Sequence, residues 1–194
     1  MNLVNRSLLR LILAQISIHA CMTGMRMATP LLALREGYSP AAVGVLLALF
    51  ALTQVFLSLP AGRYADRHGL KRPLAISVVA ASLGAGLAVI FPMYPVLCLA
   101  ALLSGGASGA AIIALQRHVG REAHDKVTLR KVFSWLAIGP AVSNFLGPFM
   151  AGMLIDYAGG EVASTTGFRA AFLLMALLPL SAWLWVRTVA EHGS

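Results

Sequence analysis

Polar side chains recur at helical spacing within the first apolar stretch of the chain. One stripe of a helix over this stretch would carry Gln15, His19, Met22 and Arg26. An arginine near the centre of a bilayer costs about 2.5 to 3.5 kcal/mol on insertion scales, so Arg26 should face protein or water. Its charge could bind an anionic group of a ligand, or it could bond helix carbonyls or extend towards the membrane surface.

A histidine on the same stripe adds a group that could carry protons. Imidazole titrates between about pH 5 and 8, although a single histidine on a helix more often makes a packing hydrogen bond. Both functions of His19 therefore remain open. Asp66 and Asp156 lie at the ends of apolar segments, and no Asp or Glu lies deep within one. This sequence thus lacks a carboxylate proton carrier within the membrane.

Six long apolar segments must position these side chains. They cover approximately residues 8–34, 41–60, 73–91, 95–116, 132–157 and 168–186. Each is close to the roughly 20 residues that a helix needs to cross a bilayer. With 59% hydrophobic and 11% charged residues, the chain is far too apolar for a soluble domain. We expect an all-α membrane protein with a single six-helix transmembrane domain over residues 1–194.

The positive charge of the chain sets its orientation in the membrane. The net charge is +8, but the basic residues lie in short turns, with no basic face suited to nucleic acid. With a cytoplasmic amino terminus, twelve Lys and Arg residues fall inside and Arg35 and Arg169 outside. The positive-inside rule therefore predicts a multi-pass protein of the cell membrane, most consistent with a bacterial inner membrane, with both termini cytoplasmic. Cys21 and Cys98 have no metal-ligand or disulfide spacing.

A charged segment that contains two glycines connects the second and third apolar segments. It contains, in order, Gly62, Asp66, Arg67, Gly69, Lys71 and Arg72. This pattern resembles the signature loop between the second and third helices of the major facilitator superfamily of secondary transporters. We expect a short cytoplasmic turn, and the resemblance implies a gate in which Asp66 pairs with Arg117. A solvated segment that only sets orientation is the simpler alternative for most of the charges at this end.

The fifth apolar segment has a second recognisable pattern. It contains Gly139, Pro140, Ser143, Gly147, Pro148, Ala151 and Gly152. Small residues at every fourth position predict a seam for close helix contact, and the prolines predict a bent axis. The pattern resembles the fifth-helix Gly-Pro motif of the superfamily, which is associated especially with antiporters. Generic small-residue packing is the alternative.

The fourth segment departs from the superfamily pattern. Many proton-coupled members carry an arginine before a glycine-rich stretch in this helix, but here the first basic residue is Arg117. Proton antiport loses support for that reason. Ser104 and Ser108 could face a polar cavity, although a bond to the helix's own backbone is more common for such serines.

A short sequence pattern that occurs twice indicates a repeated unit. The order glycine, aspartate, glycine occurs at Gly62, Asp66 and Gly69 and again at Gly152, Asp156 and Gly159. The two copies would lie on opposite sides of the membrane. Because superfamily halves resemble two three-helix units of inverted topology, we expect the amino-terminal half of such a fold, built from two inverted three-helix repeats.

The resemblance also implies a function and a site. It implies transport of a small solute by alternating access, through efflux or transport of an anionic substrate, with the first helix lining the cavity. Arg26 is then the leading substrate-binding candidate, with His19, Gln15, Gln54 and Asn144 as further candidates. Gln54 and Asn144 could instead only join helices. We expect no enzyme activity, cofactor or metal site.

The length of the chain limits this interpretation. Complete members resemble twelve helices in two halves, whereas 194 residues cover only the first half. We expect a fragment of a transporter, a half that pairs with another polypeptide, or a homodimer. A membrane assembly or regulatory protein that keeps the half-fold without transporting is the alternative.

Overall fold

Long α-helices make up nearly all of the described structure. A computed structural model describes residues 3–123, 125–158 and 165–189. The helices are α1 (Leu3–Arg35), α2 (Pro40–His68), α3 (Lys71–Ile90), α4 (Tyr94–Glu122), α5 (Lys126–Leu136), α6 (Ile138–Ala158) and α7 (Thr166–Val186). Within these described ranges, six spans are long and apolar enough to cross a membrane, with α5 and α6 counted together as one. The predicted all-α membrane fold is confirmed.

The helices extend beyond the apolar segments at the charged end. Helix α2 continues to His68 and α3 begins at Lys71, so the charged segment is mostly helical and the turn is confined to Gly69 and Leu70. Gly69 has a positive φ of 78°, a conformation that glycine adopts without a steric penalty. Apolar composition marks only the part of a helix within lipid, and so it underestimates helices that continue into water.

A break divides the fifth apolar segment into two helices. The sequence predicts one helix over 132–157, but α5 ends at Leu136 and α6 begins at Ile138. A proline ring clashes with the carbonyl four residues earlier, and Pro140 lies four residues after Leu136. The α-helical pattern is therefore interrupted at the position where Pro140 disfavours it, while Pro148 lies inside α6.

Helix packing follows an inverted repeat. Helix α2 packs mainly against α4, as α6 packs against α1, and α3 packs against α4 and α7, as α7 packs against α1 and α3. These pairings match if α1, α2 and α3 correspond to α4, α6 and α7. The predicted pair of inverted three-helix repeats is thus visible in the contacts. Gly159, the last residue of the second copy of the glycine and aspartate pattern, lies outside the described residues.

Helices α1 and α6 cross with almost no side chain between them. Gly139, Ser143, Gly147 and Ala151 are all buried, and Gly139 and Gly147 lie against α1. A β-carbon on Gly147 would lie 2.6 Å from the Ala20 carbonyl oxygen and 2.9 Å from the Gly24 nitrogen. The Thr23 hydroxyl donates to the Ser143 carbonyl oxygen at 2.9 Å across this crossing. Only residues without bulk allow the two backbones to come this close.

The crossing of α2 and α4 is also formed by close backbone contact. A β-carbon on Gly105 would clash with the Phe50 backbone, lying 2.8 Å from its carbonyl carbon. The Thr53 hydroxyl donates to the Leu102 carbonyl oxygen at 2.8 Å. The glycine-rich stretch of α4 therefore allows α2 to pack closely against it.

The two ends of the bundle differ in composition. At the end that contains Asp66, which we call the basic end, Arg10 on α1 bonds Thr188, and the Lys71 ammonium donates to the Arg187 carbonyl oxygen at 3.2 Å. The start of α1 and the end of α7 thus share one side of the bundle, as an even number of spans requires. At the opposite end, the rings of Tyr38 and Tyr94 stack with centroids 4.6 Å apart.

We predict that Gly147→Ala lowers the free energy of unfolding by about 1 to 3 kcal/mol, because the added methyl group overpacks the α1–α6 crossing. Thermal unfolding of the purified protein in detergent measures the change. Gly86→Ala is the matched control, since a β-carbon at Gly86 meets nothing within 4 Å. Equal melting temperatures for the two variants would contradict the close crossing.

Candidate functional site

Three helices bring polar side chains together around His19. The His19 Nδ1 lies 2.8 Å from the Ser108 hydroxyl oxygen of α4, and the Asn144 side chain of α6 lies close enough to interact with the imidazole. Ser108 therefore bonds across helices, rather than only to its own backbone as is more common for serine. The close α1–α6 crossing keeps His19 and Asn144 within reach of each other. The result is a polar cluster that links α1, α4 and α6.

Arg26 lies two helical turns from His19 on the same side of α1. Its side chain is exposed, and its charge acts electrostatically on His19. Asn144 is exposed as well. These three side chains, which we call the polar face, therefore combine a cation with amide and imidazole groups. Such a face can bind the oxygen atoms of a solute by charge-assisted and neutral hydrogen bonds.

The remaining candidates of the sequence analysis lie elsewhere. Gln15 is buried against Gly139, where a β-carbon would lie 2.7 Å from Oε1 of Gln15. Met22, on the same sequence stripe, is buried in the core. Gln54 is half-buried and lies against Gly109 of α4. The structure thus groups His19, Asn144 and Arg26 on one face, and places Gln15 and Gln54 in helix contacts.

Two buried oxygens close to these helix contacts lack a hydrogen bond. Within the described ranges, neither Oε1 of Gln15 nor Oγ of Ser104 has a partner. Ser104 precedes Ser108 by one helical turn, so both hydroxyls lie on a similar face of α4. An unpaired buried polar atom costs about 1 to 3 kcal/mol. Both atoms retain the capacity to bind water or a ligand group.

A separate charged group occupies the basic end. The Arg117 guanidinium donates to the Asp66 carboxylate at 2.8 Å, and an Arg121 nitrogen lies 3.8 Å from its other oxygen. The pairing predicted for Asp66 and Arg117 is therefore present. The side chains of Arg117 and Asp66 are 50% and 47% exposed, so water screens the interaction strongly.

Gly62 explains the spacing of this charged group. It precedes Asp66 by one helical turn, and a β-carbon there would lie 3.0 Å from Nη2 of Arg117. The arginine therefore crosses α2 directly over Gly62 to reach the carboxylate. Among the other residues of the motif, Lys71 bonds the end of α7, while Arg67 and Arg72 are exposed.

In the second copy of the motif, a side chain of different chemistry lies near the first glycine. A β-carbon on Gly152 of α6 would lie 3.4 Å from the Met27 methyl group of α1. Met27 thus occupies, at the opposite end, the place that Arg117 has over Gly62. The described residues form no ion pair with Asp156. Both copies of the motif therefore have a neighbouring side chain near the first glycine. That side chain is an arginine, Arg117, only at the basic end.

Sequence reasoning missed three of these relationships. It did not predict the His19–Ser108 bond, the second arginine at Asp66 or the contact of Met27 with Gly152. The four-residue spacing of Arg117 and Arg121 on one helix could have indicated the second arginine. No cluster of His, Cys, Asp or Glu suited to a metal ion is found within the described ranges.

Comparison with known proteins agrees with this architecture. The family model of the Major Facilitator Superfamily matches residues 11–194. The tetracycline resistance protein, class B, of Escherichia coli is 33% identical over 146 residues, which is 74% of this chain and 34% of the relative. The chain therefore spans about one third of the length of that curated relative.

We predict a small stability contribution from the Asp66 ion pair. A double-mutant cycle of Asp66→Asn and Arg117→Gln should give a coupling free energy of about 0.2 to 1 kcal/mol, because the pair is half-exposed. Thermal unfolding at low and high salt measures it, and salt should reduce it. The control cycle uses Asp66→Asn with Arg67→Gln, an adjacent arginine. Equal coupling in both cycles would contradict a specific Asp66–Arg117 interaction.

Proposed function

The chain belongs to the Major Facilitator Superfamily, and we propose that it forms one half of a secondary transporter that exports a small solute. The polar face of His19, Asn144 and Arg26 is the observation that carries this proposal. It lies where helices from both repeats meet, and substrate sites of such transporters lie between repeats near the bilayer midplane. Membership of a transporter family also implies that the chain is not an enzyme.

We propose that the solute carries an anionic group that binds Arg26. The arginine is exposed on the polar face, and a cation within the membrane is costly unless water, protein or a ligand solvates it. His19 and Asn144 would bond other oxygen atoms of the same solute. The name of the Escherichia coli relative, a tetracycline resistance protein, supports export as the direction.

Alternating access supplies the mechanism of this proposal. The helix bundles rock about the polar face, and the Asp66–Arg117 pair helps to hold the basic end closed. The basic end is then the cytoplasmic side, in keeping with the positive-inside rule. A bacterial inner membrane is the location that we propose, with both termini in the cytoplasm.

A second six-helix unit completes the proposed transporter. The outer sides of α2 and α6 carry exposed apolar side chains that include Val55, Phe56, Phe145 and Phe149. Of all the spans, the one formed by α2 has the smallest share of buried residues. The polar face adjoins α6, so a partner unit there would enclose it. This unit is a further part of a longer polypeptide, another polypeptide, or a second, parallel copy of the chain.

We predict that Arg26→Gln abolishes binding of anionic solutes, whereas Arg26→Lys keeps part of it, because lysine retains the charge without the planar geometry of arginine. A thermal-shift screen against anions, sugars and organic cations identifies the solute, since ligands of the native state raise the melting temperature. Flux into vesicles that contain the chain then tests transport. Unchanged solute affinity in Arg26→Gln would overturn the assignment of this residue. A folded protein without flux, alone or with a partner half, would support the assembly or regulatory role.

We predict that Val55→Cys forms intermolecular disulfides in membranes, in a background with Cys21 and Cys98 replaced by Ala. Val55 lies on the exposed face of α2 and is 69% exposed. Val79→Cys on α3 is the matched control, because Val79 is 63% exposed on a helix outside the proposed contact. Non-reducing gel electrophoresis measures the products. Equal cross-linking at both positions would contradict an interface at α2, and its absence at both would count against a second copy of the chain as the partner.

A further inference from the structure

Helix α5 has two different faces at the basic end. Its inner face packs Val132 and Leu136 against the core cluster formed there by α1, α2, α3, α4 and α7. Its outer face exposes Lys126, Val127, Arg130, Lys131 and Trp135. The outer face thus combines three cations with two apolar groups and no acidic residue.

Spacing along α5 orders these outer groups by depth. Val127, Lys131 and Trp135 follow at intervals of one helical turn and so lie on one line. Trp135 is 52% exposed and lies next to the start of α6, which enters the membrane. Indole rings favour the headgroup level of a bilayer, and lysine side chains bind the phosphates around it. The line therefore runs from the bilayer surface outwards.

Local contacts fix α5 in this position. The Asp125 carboxylate caps the helix by accepting from the Thr128 backbone N–H at 2.6 Å and from its hydroxyl at 3.0 Å. Leu136 is buried at the other end of the helix. Helix α5 begins only a few residues after Arg121 at the end of α4. The basic outer face consequently follows directly after α4, the helix whose Arg117 and Arg121 contact Asp66.

We propose that the outer face of α5 is a binding surface for the headgroups of anionic phospholipids. The cations would contact phosphate oxygens, and Trp135 would insert at the headgroup level. Charge complementarity favours an anionic lipid over a zwitterionic one. Binding would hold the end of α4, and with it Arg117 and Arg121, at a fixed height above the membrane.

Lipid retention by the purified protein tests this proposal. Native mass spectrometry in detergent should show tighter binding of phosphatidylglycerol than of phosphatidylcholine. The variant Lys126→Gln/Arg130→Gln/Lys131→Gln should bind phosphatidylglycerol at least about tenfold more weakly, because each basic residue near an anionic surface contributes on the order of fivefold. Soluble glycerol phosphate should not compete. Competition by it at similar concentration would indicate a free phosphate site and overturn the lipid assignment.

A charge-matched variant separates this surface from general attraction. Arg6→Gln/Arg63→Gln/Arg187→Gln removes the same charge from exposed positions of the basic end and should cause no comparable loss. In a Trp183→Phe/Trp185→Phe background, brominated lipid should quench the fluorescence of Trp135, which reports lipid contact in the folded protein. Equal losses in the two triple variants, or no quenching, would overturn the proposal.

Discussion

Backbone contact between helices is the constraint on which the rest of this structure depends. Lipid chains are as apolar as leucine, so burial of apolar side chains does not drive membrane helices together. At the crossings of α1 with α6 and α2 with α4, glycines let backbones touch, and Thr23 and Thr53 donate to carbonyl oxygens of the opposite helix. The two crossings are counterparts in the inverted repeat. They therefore fix both repeats against each other by the same means.

These crossings also determine where polar chemistry can lie. Because α6 approaches α1 so closely, Asn144 reaches His19, and Ser108 of α4 reaches the same imidazole from another side. A bulkier seam would separate the three groups by the width of a side chain. The proposed substrate site is thus a product of packing by residues that carry no chemistry of their own.

The positions of the helices can be predicted from the sequence more accurately than the contacts between them. Apolar length shows the six spans, and the spacing of Gly139, Ser143 and Gly147 places these three buried residues on one side of α6. It does not reveal that α2 and α4 continue into the charged ends, since composition reports the lipid environment and not the backbone. Nor does it show that Gln15 turns into the α6 seam while Arg26 on the same stripe is exposed. That difference arises from where the neighbouring helices end and cross. The periodicity of a single helix gives no information about these positions.

The two copies of the glycine and aspartate motif give the molecule unequal ends. Arg117 over Gly62 makes an ionic contact in water, while Met27 beside Gly152 makes an apolar one. Ionic contacts weaken as dissolved ions accumulate, and apolar contacts do not. If both positions close the protein in turn, the balance between its inward-open and outward-open forms depends on ionic strength at one membrane surface only. A molecule built from two inverted repeats would in this way respond to the ionic strength of a single compartment.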